Sequence, residues 1–208
     1  MKFFAGKSSD IQMINSSIRI RKANISDCSH IVSLYSIASD GIANYVWSTM
    51  AAPGENPEEV GLRRYQREDI LYSYLNCIIA EADNQVIGMM LSYPMHIGSD
   101  LDFDACDPVL LPYARLEEDN SYYISAMAMY PDFRGMGIGK EFLNIAEEKA
   151  IQQGYSKLSL IVIEDNKLAL SLYKKKGYKE VMRESIVPHP LIHCQGDALL
   201  MVKDLLVS

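Results

Sequence analysis

Apolar and charged residues alternate in "SIRIRK" (residues 17–22), the pattern of a half-exposed strand. The period then lengthens. In "ISDCSHIVSLYSIAS" the apolar positions Ile31, Leu34, Tyr35 and Ala38 share one helical stripe, with Ser26 placed to cap it. "IANYVWSTMA" predicts a second short helix, stopped by "APGENP", and "PEEVGLRRYQRED" a third with Pro57 in its first turn. Two strand-like runs follow, "NCIIAEA" and "QVIGMMLSYP", separated by the hairpin signal Asp83-Asn84. Further on, "SYYISAMAM" reads as a strand whose strict alternation puts Tyr123, Ser125, Met127 and Met129 on one face and Tyr122, Ile124, Ala126 and Ala128 on the other. "IGKEFLNIAEEKAIQQG" carries Ile138, Phe142, Ile145 and Ala146 on one stripe, and Gly154 suits its C-terminal cap. The nearly continuous apolar run "KLSLIVI" predicts a buried strand, "NKLALSLYKKKG" a short helix ending at Gly177, and "KEVMRES" and "DALLMVKDL" two closing strands.

Residues 96–120 interrupt this regularity. They are acidic and hold Pro108 and Pro112, and both a surface insertion and a flap over a substrate site fit them. With 208 residues, no repeat and no linker, the chain reads as one domain over residues 17–208, with the acidic insertion at about 96–120. Residues 1–16 read as a partly mobile leader, too weakly apolar for a secretory signal.

Composition narrows the function classes. A net charge of −7 disfavours nonspecific nucleic-acid binding. No apolar run approaches the roughly 18 residues that cross a bilayer, so no membrane role is expected. Cys28, Cys77, Cys106 and Cys194 are scattered without a CxxC pair, as free thiols in a reducing cytoplasm are. The cluster "HPLIHC" (His189, His193, Cys194) invites a metal, but its two prolines prevent a helix from presenting both histidines on one face, and a loop is the better reading. No metal is expected.

Chemistry concentrates in "RGMGIGK", residues 134–140, between a predicted strand and a predicted helix. A helix N-terminus offers unpaired N–H groups and the positive end of a dipole, and glycines let that backbone approach a ligand closely. A tight strand-to-helix turn needs one or two glycines. Three, flanked by Arg134 and Lys140, favour a phosphate cradle. A Walker A loop would need glycine at position 134 and Ser or Thr at 141, which are Arg134 and Glu141. The dinucleotide fingerprint G-x-G-x-x-G also fails, because the spacing is G-x-G-x-G and it comes late in the chain.

What remains is [QR]-x-x-G-x-[GA], met by Arg134, Gly137 and Gly139. Here the sequence resembles the GNAT superfamily of N-acetyltransferases. "ISAMAMYPDFRGMGIGKEFL" is similar to that family's acetyl-CoA motif. Downstream, "LIVIEDNKLALSLYKKKGYKE" is similar to its second motif through Asn166, Ala169, Leu172-Tyr173 and Gly177-Tyr178. The resemblance covers residues about 18–205, and the upstream "DGIANYVWSTMAAPGENPEEVG" resembles a bacterial subgroup whose substrate is unidentified. It implies an α/β (α+β) fold in a single domain, a central mixed, mostly antiparallel sheet of about seven strands flanked by helices. It also implies an acyltransferase that uses acetyl-CoA (coenzyme A) to acetylate a primary amine by direct attack in a ternary complex.

The same resemblance assigns roles. Arg134, Gly135, Met136, Gly137, Ile138, Gly139 and Lys140 would hold the CoA pyrophosphate, with Arg134 adding charge or only shaping the turn. Met127, Ala128 and Met129 lie where the pantetheine arm pairs with exposed backbone. Asn166, next to Ala169, fits either a hydrogen bond near that arm or a helix N-cap. Tyr173 matches the tyrosine beside the thioester sulfur. An ordinary phenol near pKa 10 would donate to a thiolate whose acid is near about 8.5 only modestly uphill, so a general-acid role stands beside simple packing. Family members often carry Glu or His where this chain has Tyr123 and Ser125. Neither is a base at neutral pH, and either would serve by ordering a water. Glu81, Glu117 and Glu118 are further candidates for the base or for substrate contact. The acidic surplus suggests a cationic small-molecule or peptide acceptor: a polyamine, an amino sugar or a protein N-terminus. Tyr45, Trp47 and Tyr93 could line its pocket or pack the core. The missing Glu or His leaves a noncatalytic acyl-CoA-binding regulatory module as the alternative, and a homodimer is compatible with either.

Overall fold

A computed structural model describes residues 11–13, 17–98 and 102–205. In chain order its strands and helices are β1 (Ile11–Met13), β2 (Ile18–Lys22), α1 (Cys28–Ser39), α2 (Ile42–Met50), α3 (Pro57–Tyr65), β3 (Cys77–Ala82), β4 (Gln85–Met95), α4 (Leu111–Arg115), β5 (Ser121–Met129), α5 (Ile138–Gln152), β6 (Lys157–Ile163), α6 (Lys167–Lys175), β7 (Lys179–Ser185) and β8 (Asp197–Asp204). They form one eight-stranded sheet in the order β1-β2-β3-β4-β5-β6-β8-β7. Among the described residues only β5 and β6 pair in parallel. This is the expected mixed, mostly antiparallel sheet, with the three-residue β1 added at its edge. That addition comes from the stretch read as leader, whose other residues up to position 16 lie outside those described.

Local chemistry accounts for most element ends. Asp83 and Asn84 both take positive φ (+49° and +63°), as a two-residue hairpin between β3 and β4 requires. Asn56 caps α3 by accepting from the Glu58 N–H, with Pro57 in the first turn. The predicted cap of α1 is corrected. Ser26 lies inside a 3₁₀ turn, Ile25–Asp27, and Asn24 caps it by accepting from the Ser26 N–H while the Asp27 carboxylate returns to the Asn24 N–H.

The sheet carries a core on each face. α5 and α6 cover one, where Ile138, Phe142 and Ala146 pack on Tyr122, Ile124, Leu158 and Leu160. Full burial of Phe142 alone is worth roughly 1.5–3 kcal/mol. α1–α3 cover the other, with Ile31, Leu34, Trp47 and Tyr65 against Ile79, Met89, Leu91 and Tyr93.

The predicted alternation of β5 is also corrected. Leu91 of β4 pairs with Ala126 but Ser92 pairs with Ile124, so Ser125 is a bulge. One extra residue shifts the phase of a strand. Tyr123 therefore shares the α1–α3 face with Ala126 and Ala128, while Tyr122 and Ile124 share the α5 face with Met127 and Met129.

The insertion is packed rather than loose. It forms a 3₁₀ turn, Phe103–Ala105, and α4, whose following residue Leu116 is fully buried against Ala198, Leu200 and Val202. No helix among the described residues is long and apolar enough to cross a membrane.

Candidate functional site

The parallel pairing of β5 with β6 is short. It joins Tyr122 to Leu158, Tyr123 to Ser159 and Ile124 to Leu160, and then stops at the bulge. On their outer sides both strands continue paired, β5 with β4 to Met129 and β6 with β8 to Ile163. Between residues 125–129 and 161–163 a V-shaped slot opens. Its walls are strand edges whose facing N–H and C=O groups are not used by the sheet, a template for an added extended chain.

The glycine turn lies directly after the β5 wall. A 3₁₀ turn, Pro131–Phe133, leads to Gly135 and Gly137, both at positive φ (+78° and +82°). Gly137 is the N-cap of α5 and brings no side chain to bond the first-turn N–H groups. The first helical bond there runs from the Glu141 N–H to the Gly137 carbonyl, leaving the N–H groups of Ile138, Gly139 and Lys140 without intrahelical partners. A Cβ at Gly135 or Gly137 would meet no atom within 4 Å, so their glycine character answers to backbone conformation and to the open space beside the turn. Gly139 differs. Its Cβ would stand 3.3 Å from Leu172 Cδ2 and 3.6 Å from the tips of Met127 and Met129, so it lets α5 lie close to the slot wall. Ile138 is buried, whereas Arg134, Met136 and Lys140 are exposed. This open, unpartnered, positively polarised turn fits a diphosphate.

α6 supplies the other side. Asn166 caps it, its side chain accepting from the Ala169 N–H at 3.1 Å, so of its two expected roles the cap is filled. Tyr173 is buried with its ring 5.8 Å from that of Tyr178, and burial pushes its phenol up to about 12. Its hydroxyl lies within electrostatic reach of Tyr123 across the slot.

On the α1–α3 face a chain of tyrosines reaches the same place. Ring centroids are 5.7 Å apart for Tyr93 and Tyr123, 5.9 Å for Tyr72 and Tyr93, and 6.1 Å for Tyr35 and Tyr72. The Tyr35 hydroxyl lies beside Ser125 at the bulge, and burial raises its pKa. Burial also raises that of Tyr123, which senses Tyr72, Glu117 and Tyr173. Among the described residues, the Tyr65 and Tyr178 hydroxyls are sealed away without a partner, while Tyr113 stands beside Cys194. Tyr35, Tyr93, Tyr123 and Tyr173 are not among them; the Tyr35 hydroxyl has Ser125 and Tyr72 beside it, and Tyr93 has Tyr72.

Other expected site residues are drawn elsewhere. Glu81 is held by Arg19 and Arg21, with Arg21 Nε at 2.6 Å, on a strand separated from β5 by β4. Burial pushes its carboxyl up, but the hydrogen bonds from Arg21 and then Arg19 outweigh it and leave it low. Trp47 is core: its indole lies against Gly61, where an added Cβ would come within 2.7 Å of it. Tyr45 is a clasp, donating to Asp107 at 2.8 Å with its ring 4.5 Å from His189 in the β7–β8 loop. Of the aromatic trio only Tyr93 stands beside the slot. Glu118 is paired with Lys157.

Sequence reading passed over Tyr35 and Tyr72. Tyr35 lies on the apolar stripe of α1 and carries no mark separating it from core, and Tyr72 falls in a stretch without a motif. It also passed over the turn Asp40-Gly41, where a Cβ on Gly41 would fall 1.8 Å from the Leu191 carbonyl oxygen, so tightly does the β7–β8 loop cross it. The "HPLIHC" cluster belongs to that irregular loop, as expected.

Solved structures share this architecture. An acetyltransferase is 24% identical, with 89% of this chain and 98% of that one covered at a TM-score of 0.61. An N-acetyltransferase from Staphylococcus aureus Mu50 is 20% identical, over 88% and 98%, at 0.60. A GNAT family acetyltransferase from Elizabethkingia anophelis, with acetyl-CoA bound, is 19% identical over 92% and 100%, at 0.54. At these identities the likeness concerns the fold. The sequence itself carries the rest: residues 43–178, well over half the chain and including both the glycine turn and α6, match the model of the acetyltransferase (GNAT) family, and the chain belongs to that family.

Proposed function

We propose that the protein transfers the acetyl group of acetyl-CoA to a primary amine by direct attack, with both substrates bound together. The observation that carries this reading is the slot between β5 and β6, which opens beyond Ile124 and runs out at the capless N-terminus of α5. Acetyl-CoA supplies an acetyl group activated as a thioester. Backbone N–H groups of residues 135–140 hold its diphosphate, and the free edge of residues 125–129 pairs with its arm. A β5 N–H near Met127 is placed to stabilise an oxyanion. Tyr173 donates a hydrogen bond to the departing sulfur. With its phenol at about 12, full proton transfer to a thiolate whose acid is near 8.5 would run about 5 kcal/mol uphill, so Tyr173 shares its proton rather than surrendering it. The expectation of an only modestly uphill donor thus gives way, because the ring is buried.

The acceptor is a cationic amine, in keeping with the net charge of −7. A second reading, a noncatalytic acyl-CoA-binding module, draws on Tyr123 and Ser125 standing where a Glu or His base would be expected. Calorimetry with acetyl-CoA, joined to thiol release across spermidine, glucosamine and a dipeptide with a free N-terminus, separates the two. Binding with amine-dependent release supports the enzyme. Binding with no release on any amine supports the module, and no binding ends both.

A further inference from the structure

An alkylamine is protonated near neutral pH and has no lone pair to attack with until it loses a proton. Neither Tyr123 nor Ser125 can take that proton, and the structure points to another group in the same space.

Glu117 lies between α4 and β5, in a segment fixed on both sides. Leu116 before it is fully buried under β8. Glu118 after it pairs with Lys157 at the start of β6, and its carbonyl accepts from Ser121 Oγ at 2.8 Å. Ser121 is bonded in turn to Ser159 at 2.6 Å. These anchors hold residue 117 at the end of the tyrosine array, within electrostatic reach of Tyr123. The Glu117 side chain has no ion pair and no hydrogen bond among the described residues. The neighbouring carboxylates are all engaged: Glu118 with Lys157, Asp107 with Tyr45, Asp119 with the Ile97 N–H. Surface glutamates are ordinarily solvated, but this one is half-buried, with the Tyr123 phenol within electrostatic reach.

From this placement we infer that Glu117 is the general base of the reaction, taking the proton from the ammonium of the acceptor on the Tyr123 side of the slot. The inference rests on the acetyl-transfer reading. The steps balance: the ammonium gives one proton to the Glu117 carboxylate, and the freed lone pair forms the C–N bond at the thioester carbon as the C–S bond breaks. Nitrogen gives its second proton to water, the departing thiolate, held by the Tyr173 hydrogen bond, takes one proton from water, and Glu117 returns its proton to water. The products are amide, thiol and one proton. Burial raises the Glu117 pKa, which brings a carboxylate closer to what a base needs at neutral pH.

Two readouts test it, one without substrate. In the free protein, carbon-13 NMR should show a carboxyl group titrating above the ordinary glutamate range that disappears in Glu117→Gln. With the amine from the panel that wild type acetylates, Glu117→Gln should lower kcat at least about 100-fold with the Kd for acetyl-CoA within about twofold. Turnover of Glu117→Gln should keep rising with pH as free amine accumulates, where wild type levels off. Glu117→Asp, which keeps the carboxylate, should lie between the two. Near-normal kcat in Glu117→Gln, or a loss in step with acetyl-CoA affinity, overturns the inference. An absence of amine-dependent thiol release from wild type instead sinks the acetyl-transfer reading, and the base with it.

Discussion

On the proposed reading, seven consecutive residues, 134–140, the adjoining β5 edge and one helix, α6, would make the donor side of the slot. The acceptor side of that reading would be drawn from five places: Tyr35 on α1, Tyr72 in the stretch before β3, Tyr93 on β4, Tyr123 on β5 and Glu117 in the insertion. The donor side works through backbone, since what recognises a diphosphate is a set of N–H groups whose aim depends on φ at two glycines. The acceptor side works through side chains brought together by the tertiary fold. One is compact and tied to a turn conformation. The other can be altered one residue at a time, so the two should respond differently to substitution.

The largest expected effect comes from Gly137→Glu. The change strains a residue at φ +82° and puts a carboxylate into the open space of the cradle, so calorimetry should show acetyl-CoA affinity reduced at least about 100-fold, with turnover of every amine lost alike. Equal binding by this variant would remove the cradle from the donor side. Gly41→Ala should act on the scaffold instead. Its Cβ would collide with the Leu191 carbonyl, so the β7–β8 loop must shift away from α2 and Tyr45. Thermal unfolding should show a loss of about 1–3 kcal/mol, with acetyl-CoA affinity within about twofold. Unchanged stability would show that the close crossing of the loop is dispensable.

Tyr173→Phe comes next. It keeps the buried ring and removes the donor, so kcat should drop about tenfold with little change in acetyl-CoA affinity. Unchanged turnover would leave Tyr173 as packing alone. The smallest effect is expected of Tyr35→Phe, which strips a hydroxyl beside Ser125. Thermal unfolding should change by less than about 1 kcal/mol, and kcat/KM for the amine by about threefold. A larger drop in acetyl-CoA binding than in amine turnover would reassign Tyr35 to the donor side.

The same contrast explains what could be read from the chain. The glycine turn was legible because its residues are contiguous and their conformational demand is written in the residue types. The mixed sheet, the hairpin at Asp83-Asn84, the first turn at Pro57 and the helix end at Gly154 were legible for the same reason. Glu81 and Glu117 were not told apart, since each is a glutamate near a strand. What separates them is that Arg19 and Arg21 of β2 pair opposite β3, a long-range fact no local pattern carries. Ser125 was misplaced because "SYYISAMAM" alternates without a break in residue type. The phase of its second half is set by the register with β4. Tyr35 had the spacing of a core residue and is nearly one, with its hydroxyl against Ser125 and Tyr72.

That bulge makes β5 unusually intolerant of a change in length. Deleting Ser125 would remove more than a hydroxyl: it would bring the strand back into even step, turning Met127 and Met129 toward the tyrosines and setting Ala126 and Ala128 beneath α5. The floor under Gly139 would lose both methionine tips, and the aromatic wall would receive two long thioethers in place of methyl groups. In most proteins one residue gained or lost matters least in a loop and is screened out from strands by simple misfit. Here a single residue in mid-strand acts as a spacer that keeps the methionines and the tyrosines on opposite faces of one strand.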